Sequence, residues 1–172
     1  LIELKIIYNM SLTIFCGVDK TGKSTIARVI SEKLGGEIQH YSKPNRDPYE
    51  YFYPALEAAK TKIVVCDRHL LGERIYSKIK KEPSQWKEGD YERMLKQLGE
   101  MHAVICIVWE YKELLKKRHA ELREDYITAD EMIKVQRLFL KEARRIAEEY
   151  PGITVLTYKP TSNLIRLLGK RM

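Results

Sequence analysis

The residues best suited to chemistry in this 172-residue chain are Gly17-Val18-Asp19-Lys20-Thr21-Gly22-Lys23-Ser24, which satisfy the pattern G-x-x-x-x-G-K-[ST]. They lie between the apolar run Ser11–Cys16 and a stretch with helical periodicity, the context in which this pattern wraps a phosphate. Gly17 and Gly22 let the backbone pass close to an anion, and the loop amides point inward at the start of a helix, whose positive end favours phosphate. Lys23 is placed to reach the β- and γ-phosphates and the Ser24 hydroxyl to hold Mg²⁺, while Thr25 is expected to back the turn from inside. Asp19, Lys20 and Thr21 complete a loop whose expected cofactors are ATP and Mg²⁺.

A second pair of charges emerges where the apolar run Ile63-Val64-Val65-Cys66 ends in Asp67-Arg68-His69. Asp67 suits Mg²⁺ binding through water or the orientation of a substrate hydroxyl, and the planar fork of Arg68 suits a second phosphate. One carboxylate and one guanidinium at a strand end fit phosphoryl transfer between nucleotides. A plain strand-end salt bridge is the alternative. No Asn-Lys-x-Asp segment is present to read guanine, and the chain is short for a motor.

These residues need a scaffold that brings strand ends together. Short β-branched runs alternate with longer amphipathic stretches, which predicts parallel strands joined by crossover helices. Strands are expected near Leu12–Cys16, Glu37–Tyr41, Lys62–Cys66, Ala103–Val108 and Thr154–Thr157, with helices over Gly22–Leu34, Pro48–Lys60, Leu70–Lys80, Tyr91–Met101, Lys112–His119 and Ala129–Glu149. The fold class is therefore α/β: a five-stranded parallel sheet flanked by helices in three layers, with the chemistry gathered at one edge. Residues 10–172 read as one domain, and Leu1–Asn9 as an upstream extension or an edge strand.

Composition narrows the class further. No apolar run approaches the roughly 18 residues that cross a bilayer, so a soluble, membrane-free protein is expected. Cys16, Cys66 and Cys106 each sit within or at the end of an apolar run, like buried free thiols, which suggests the cytoplasm. Neither the cysteines nor the four histidines have metal-ligand spacing. The net charge of +7 suits an anionic partner, a nucleotide or less readily a nucleic acid, although lysines and arginines on helices are ordinarily a solvated face.

From Ser11 to Leu168 the chain resembles the thymidylate kinases and, more broadly, the P-loop nucleoside and nucleotide kinases. Gly17 to Thr25 resembles the family's P-loop with its acidic third residue, and Asp67-Arg68-His69 its Asp-Arg-aromatic signature, continued by Glu73 and Tyr76. Arg118 to Tyr126 resembles a short Arg-rich lid, placed near 118–127, followed by the family's long helix and final strand. The resemblance implies that Asp19 contacts the acceptor sugar, that Arg68 holds the acceptor phosphate and that Tyr76 lies against the deoxyribose. Either Lys20 or the lid residues Arg118 and Arg123, or both, would neutralise the transferring phosphoryl group. Pro44 falls in the turn after the second strand, where the family forms its acceptor site, and Phe52 is an expected stacking partner for the acceptor base, or else a core residue.

The reading that follows is ATP-dependent transfer to a deoxynucleoside monophosphate, dTMP before others, by a possible homodimer. A kinase acting on a nucleoside or a DNA hydroxyl, with Asp67 or Glu73 as base, and a non-catalytic nucleotide-binding regulator are the alternatives.

Overall fold

The protein, seen in a computed structural model, is described at Ile7 and over residues 10–122 and 126–168. Leu1–Asn9, apart from Ile7, and Arg123 lie outside the described residues. Strand β1 (Leu12–Cys16) leads through the P-loop into helix α1 (Lys23–Leu34), followed by β2 (Glu37–His40), α2 (Pro48–Ala59), β3 (Val64–Asp67) and α3 (Leu71–Lys80). The second half runs α4 (Asp90–Glu100), β4 (Val104–Val108), α5 (Lys112–Leu122), α6 (Ala129–Glu149), β5 (Thr154–Lys159) and β6 (Leu164–Leu168).

The sheet order is β2-β3-β1-β4-β5-β6, parallel except for the last pair. The architecture is the α/β one expected, with one strand more. A 3₁₀ turn over Pro160–Ser162 and a left-handed Asn163 (φ 48°) reverse the chain, so Leu164–Leu168 returns antiparallel along β5. In sequence that strand carries an arginine amid leucines and lacks the alternation that marks a half-buried strand.

Alternate residues of each strand serve opposite faces. Leu12, Ile14, Cys66 and Ile105 pack beneath α2, α3, α4 and α6, with Phe52, Leu71, Leu95 and Phe139 among the partners. On the other face Phe15, Val65, Val104 and Cys106 meet Ala27 and Ile30 of α1, together with Ile7. Burying central strands on both faces is what lets them read as continuous apolar runs. All three cysteines are free and buried, and burial pushes the Cys16 thiol up to about 12, so it is inert at neutral pH. No described helix is long and apolar enough to cross a membrane.

Two consequences position the site. β1 and β3 are hydrogen-bonded neighbours with Phe15 opposite Asp67, so the loops leaving both strands open on the same edge. Helix α6 is started by a full capping box, in which Glu131 N donates to Thr128 Oγ1 at 3.1 Å and Thr128 N to the Glu131 carboxylate at 2.7 Å. That start sets the long helix against α3.

Candidate active site

The P-loop is shaped by backbone. Gly17 (φ 145°) passes so close to the end of β4 that a Cβ there would overlap the Val108 carbonyl oxygen. Gly22 (φ 87°) is the left-handed residue from which α1 starts, leaving its first amides without helical partners and facing the loop. Thr21, fully buried, donates from Oγ1 to Val18 O at 2.9 Å and braces the loop from within. That role was expected of Thr25, which instead is exposed: the 3.6-residue period turns Lys23, Ala27 and Ile30 inward and leaves Ser24 and Thr25 outside.

Lys23 is 4 % exposed, and its Nζ donates to Asp19 Oδ1 at 2.7 Å and to Val18 O at 3.4 Å. Arg68 reaches the same Asp19 oxygen from β3, with Nη2 donating at 2.7 Å. The two cations expected at separate phosphates thus share one carboxylate oxygen. Burial pushes the Asp19 carboxyl up, but Lys23, with Arg68 and the Tyr76 phenol, more than reverses this and holds it below the usual range. Tyr76 Oη lies in the field of that carboxylate without closing a well-formed hydrogen bond among the described residues. Burial also draws the Lys23 ammonium below its ordinary value, with Asp19 opposing the shift.

Arg68 sits in the left-handed region (φ 67°), uncommon for a residue with a Cβ, immediately after β3. Its amide still donates to Phe15 O at 2.8 Å, so the strand ladder fixes the backbone while the side chain turns toward the P-loop. Its Nε–H is buried and makes no hydrogen bond among the described residues. The adjacent Asp67 is 3 % exposed: Oδ2 accepts from His40 Nδ1 at 2.8 Å, and Oδ1 has no partner among the described residues.

A cavity of about 320 Å³ adjoins the loop. Its loop end is formed by Gly17, Asp19 and Arg68, its walls by His69, just after β3, and by Gly72, Glu73 and Tyr76 of α3, and its far side by Tyr126 and Phe139. Lys43 and Glu82 line it too, joined across exposed positions by an ion pair of 3.3 Å. His69 is fully enclosed: Nε2 donates to Phe52 O at 3.0 Å, and burial lowers its pKa to about 4, so the imidazole is neutral.

The structure brings together Gly17, Asp19, Lys23, Arg68, Glu73 and Tyr76. Glu73 lines the cavity but both its oxygens are taken, by Ser77 Oγ, Ser84 Oγ and Gln85 N at 2.7–2.9 Å, which ties the loop after α3 to that helix. Phe52 does not reach the cavity. It is 1 % exposed and packs against Tyr41, His69 and Trp86, because its place in α2 puts it on the inward stripe. Pro44 is buried and off the cavity wall, where Ser42 and Lys43 stand. Arg118, from α5, donates to Lys20 O at 2.7 Å and so touches the P-loop backbone, with Lys20 itself left-handed (φ 68°). Sequence reasoning missed Lys43, Glu82, Tyr126 and Phe139 as cavity residues. Phe139 keeps core periodicity, and the charged pair belongs to loops with no motif.

No family model and no curated protein sequence matches the chain. Solved structures do. The YorR protein of Bacillus subtilis, determined with phosphorylated GDP, superposes with a TM-score of 0.66 at 18% identity over 87% of this chain and 86% of its own. Deoxyadenosine kinase from M. mycoides, determined with dATP, gives 0.51 at 17% identity over 84% of this chain and 89% of that one. The same kinase with dCTP gives 0.51 at 17% identity over 85% and 90%. These neighbours show that the chain shares their fold: an α/β sheet, mostly parallel and flanked by helices, that opens with a P-loop strand–turn–helix.

Proposed function

We propose that the chain transfers the terminal phosphoryl group of ATP to a deoxynucleoside monophosphate, with dTMP as the leading acceptor. The observation that carries this reading is the balance of charges at the cavity. Arg68 spends only Nη2 on Asp19 and keeps a buried Nε–H without a partner among the described residues, a donor suited to an anionic acceptor. Two of the cavity carboxylates are engaged, Glu73 by three hydrogen bonds and Glu82 by Lys43, and the third, Asp19, is held below the usual range by Lys23 and Arg68, which makes it a weak base. An acceptor hydroxyl needs a base, whereas a phosphate oxygen arrives ionised, so a monophosphate suits these walls better.

In this reading the donor phosphates lie in Gly17–Ser24, with Thr21 in that loop and Thr25 in the first turn of α1, and Lys23 leaves Asp19 for the β- and γ-oxygens. Arg68 receives the acceptor phosphate, and Asp19 and Tyr76 meet its sugar. Lys20 and Arg118, with Arg123, supply the remaining positive charge around the transferring group. Asp67 offers a buried Oδ1 with no partner among the described residues and Ser24 an exposed hydroxyl, a donor set that fits Mg²⁺ carried mainly by nucleotide oxygens and water. When bound, that ion would neutralise charge on the phosphates. Phe52 and Pro44 then support the acceptor wall from behind.

A second reading, transfer to a nucleoside hydroxyl, is favoured by one observation: two of the similar structures are those of a deoxyadenosine kinase. Measuring ADP release with dTMP, dCMP, dAMP, dGMP, the matching nucleosides and DNA 5′ ends decides between them. The proposal expects dTMP to lead; turnover on a nucleoside or DNA end, with none on any monophosphate, would replace it.

A further inference from the structure

Helix α6 is two-sided in an unusual way. Met132, Val135, Phe139, Ala143 and Ile146 are buried, Phe139 reaching the cavity wall. On the opposite side Lys134, Arg137, Lys141 and Arg144 are exposed, recurring at intervals of three, four and three residues, so they form one straight row. At about 1.5 Å per residue the row is about 15 Å long, with a cation roughly every 5 Å.

None of the four makes an ion pair among the described residues, although Lys134 has Asp130 and Glu131 one turn back. Elsewhere the surface is mixed: exposed Arg28, Lys33, Lys78, Lys96 and Lys112 also make no ion pair among the described residues, but no four of them follow one another on one helix face. Lys43, Lys60, Lys62, Arg74, Lys87, Arg93, Lys116 and Lys117 each meet a carboxylate, and on α6 itself Arg145, one residue beyond the row, is held by Glu142 and Glu149. No other described helix carries four such cations in succession. Acids flank the row at both ends, Asp130 and Glu131 one turn before Lys134 and Glu148 one turn after Arg144, but between those ends the successive i+3 and i+4 neighbours on this face are cations.

We infer that this row is a docking strip for the sugar-phosphate backbone of a nucleic acid, separate from the nucleotide site. Its charge is regular, and the partner's charge must be regular too, which a phosphate backbone supplies. An anionic membrane is disfavoured because α6 has no exposed apolar flank to insert, its large apolar residues being committed to the core. An acidic protein segment is disfavoured because the row holds no aromatic or aliphatic anchor of the kind on which protein interfaces centre. Contacts confined to phosphates carry no sequence preference, so the strip would bind many sequences weakly and in a salt-sensitive way.

The test uses the full chain and the variant Lys134→Gln/Arg137→Gln/Lys141→Gln/Arg144→Gln, whose glutamines keep helix propensity at exposed positions. Fluorescence anisotropy with labelled single-stranded and duplex oligonucleotides is followed between roughly 50 and 200 mM salt. The expected result is weak wild-type binding whose log–log salt slope becomes shallower by about 3 in the variant on single strands, with affinity at low salt falling on the order of tenfold or more. A second variant, Lys134→Arg/Lys141→Arg, keeps the charge and should keep the binding. Thermal melting and ATP turnover should match wild type in both variants. An unchanged salt slope in the glutamine variant, no binding at low salt, or binding to phosphatidylserine vesicles in place of oligonucleotides would each overturn the inference.

Discussion

The two halves of the site are built in different ways. The P-loop half is backbone: amides at the start of α1, a glycine pressed on Val108, and a threonine bonding its own loop. The other half, proposed to take the acceptor, is side chain: Arg68 and His69 just after β3, Gly72, Glu73 and Tyr76 from α3, Lys43 and Tyr126 from loops and Phe139 from α6. Asp19 joins them, since one of its oxygens holds a cation from each half. A backbone site tolerates almost no added atom but accepts varied side chains around it, while a side-chain site can change its ligand by one substitution. The contrast explains why phosphate chemistry is readable at a motif and acceptor identity is not.

The largest expected effect tests the backbone half. Gly17→Ala would drive a Cβ into the Val108 carbonyl at a φ that L residues rarely adopt, and should cost on the order of 4 kcal/mol, read as a fall in the denaturant midpoint. Melting indistinguishable from wild type would break the claim that backbone proximity shapes this half. Next comes Lys23→Ala, which should lower kcat by about 10² to 10³. Circular dichroism should show the fold retained, because Asp19 keeps Arg68 as its partner.

Arg68→Ala should act differently. If Arg68 holds the acceptor as proposed, its loss should raise the acceptor KM by roughly tenfold to a hundredfold, with the KM for ATP nearly unchanged. If both KM values rise equally, the two halves are not separable as described.

A pH titration sharpens the comparison from the acceptor side. The folded pKa of His69, lowered by burial to about 4, lies below the unfolded value near 6.5, so its contribution to stability is complete above pH 6.5. That contribution is lost as pH falls from 6.5 toward 4, amounting to about 3 kcal/mol, because the unfolded chain takes up the proton first. His69→Phe should flatten stability over this window, and an unchanged slope would place the titration elsewhere. The smallest effect is Gly72→Ala. A Cβ there meets nothing within 4 Å, so alanine's smaller loss of backbone entropy on folding should add about 0.5–1 kcal/mol of stability. A loss of stability would mean that the wall at Gly72 is closed.

How much of this was legible in sequence differs between the halves for the same reason. Gly17 to Ser24 and the strand-end pair Asp67-Arg68 could be read because local spacing dictates their geometry. Thr25 was misjudged because facing depends on where helix α1 begins, and Gly22 sets that start. Phe52 offered two readings, stacking partner or core residue, and only the packing of α2 against His69 and Trp86 separates them. Glu73 looked like a substrate ligand until the loop at Ser84 and Gln85 claimed its oxygens.

By itself the sequence determined an alternating α/β chain, an anion-binding turn and a charged pair at a strand end, since each rests on interactions between residues close in the chain. Tertiary structure alone decided that Lys23 and Arg68 meet on one Asp19 oxygen, that Lys43, Tyr126 and Phe139 share a cavity with them, and that β6 closes the sheet. Those facts depend on which strands are neighbours and which helix faces are covered. Long-range packing selects among arrangements that local spacing leaves equally open.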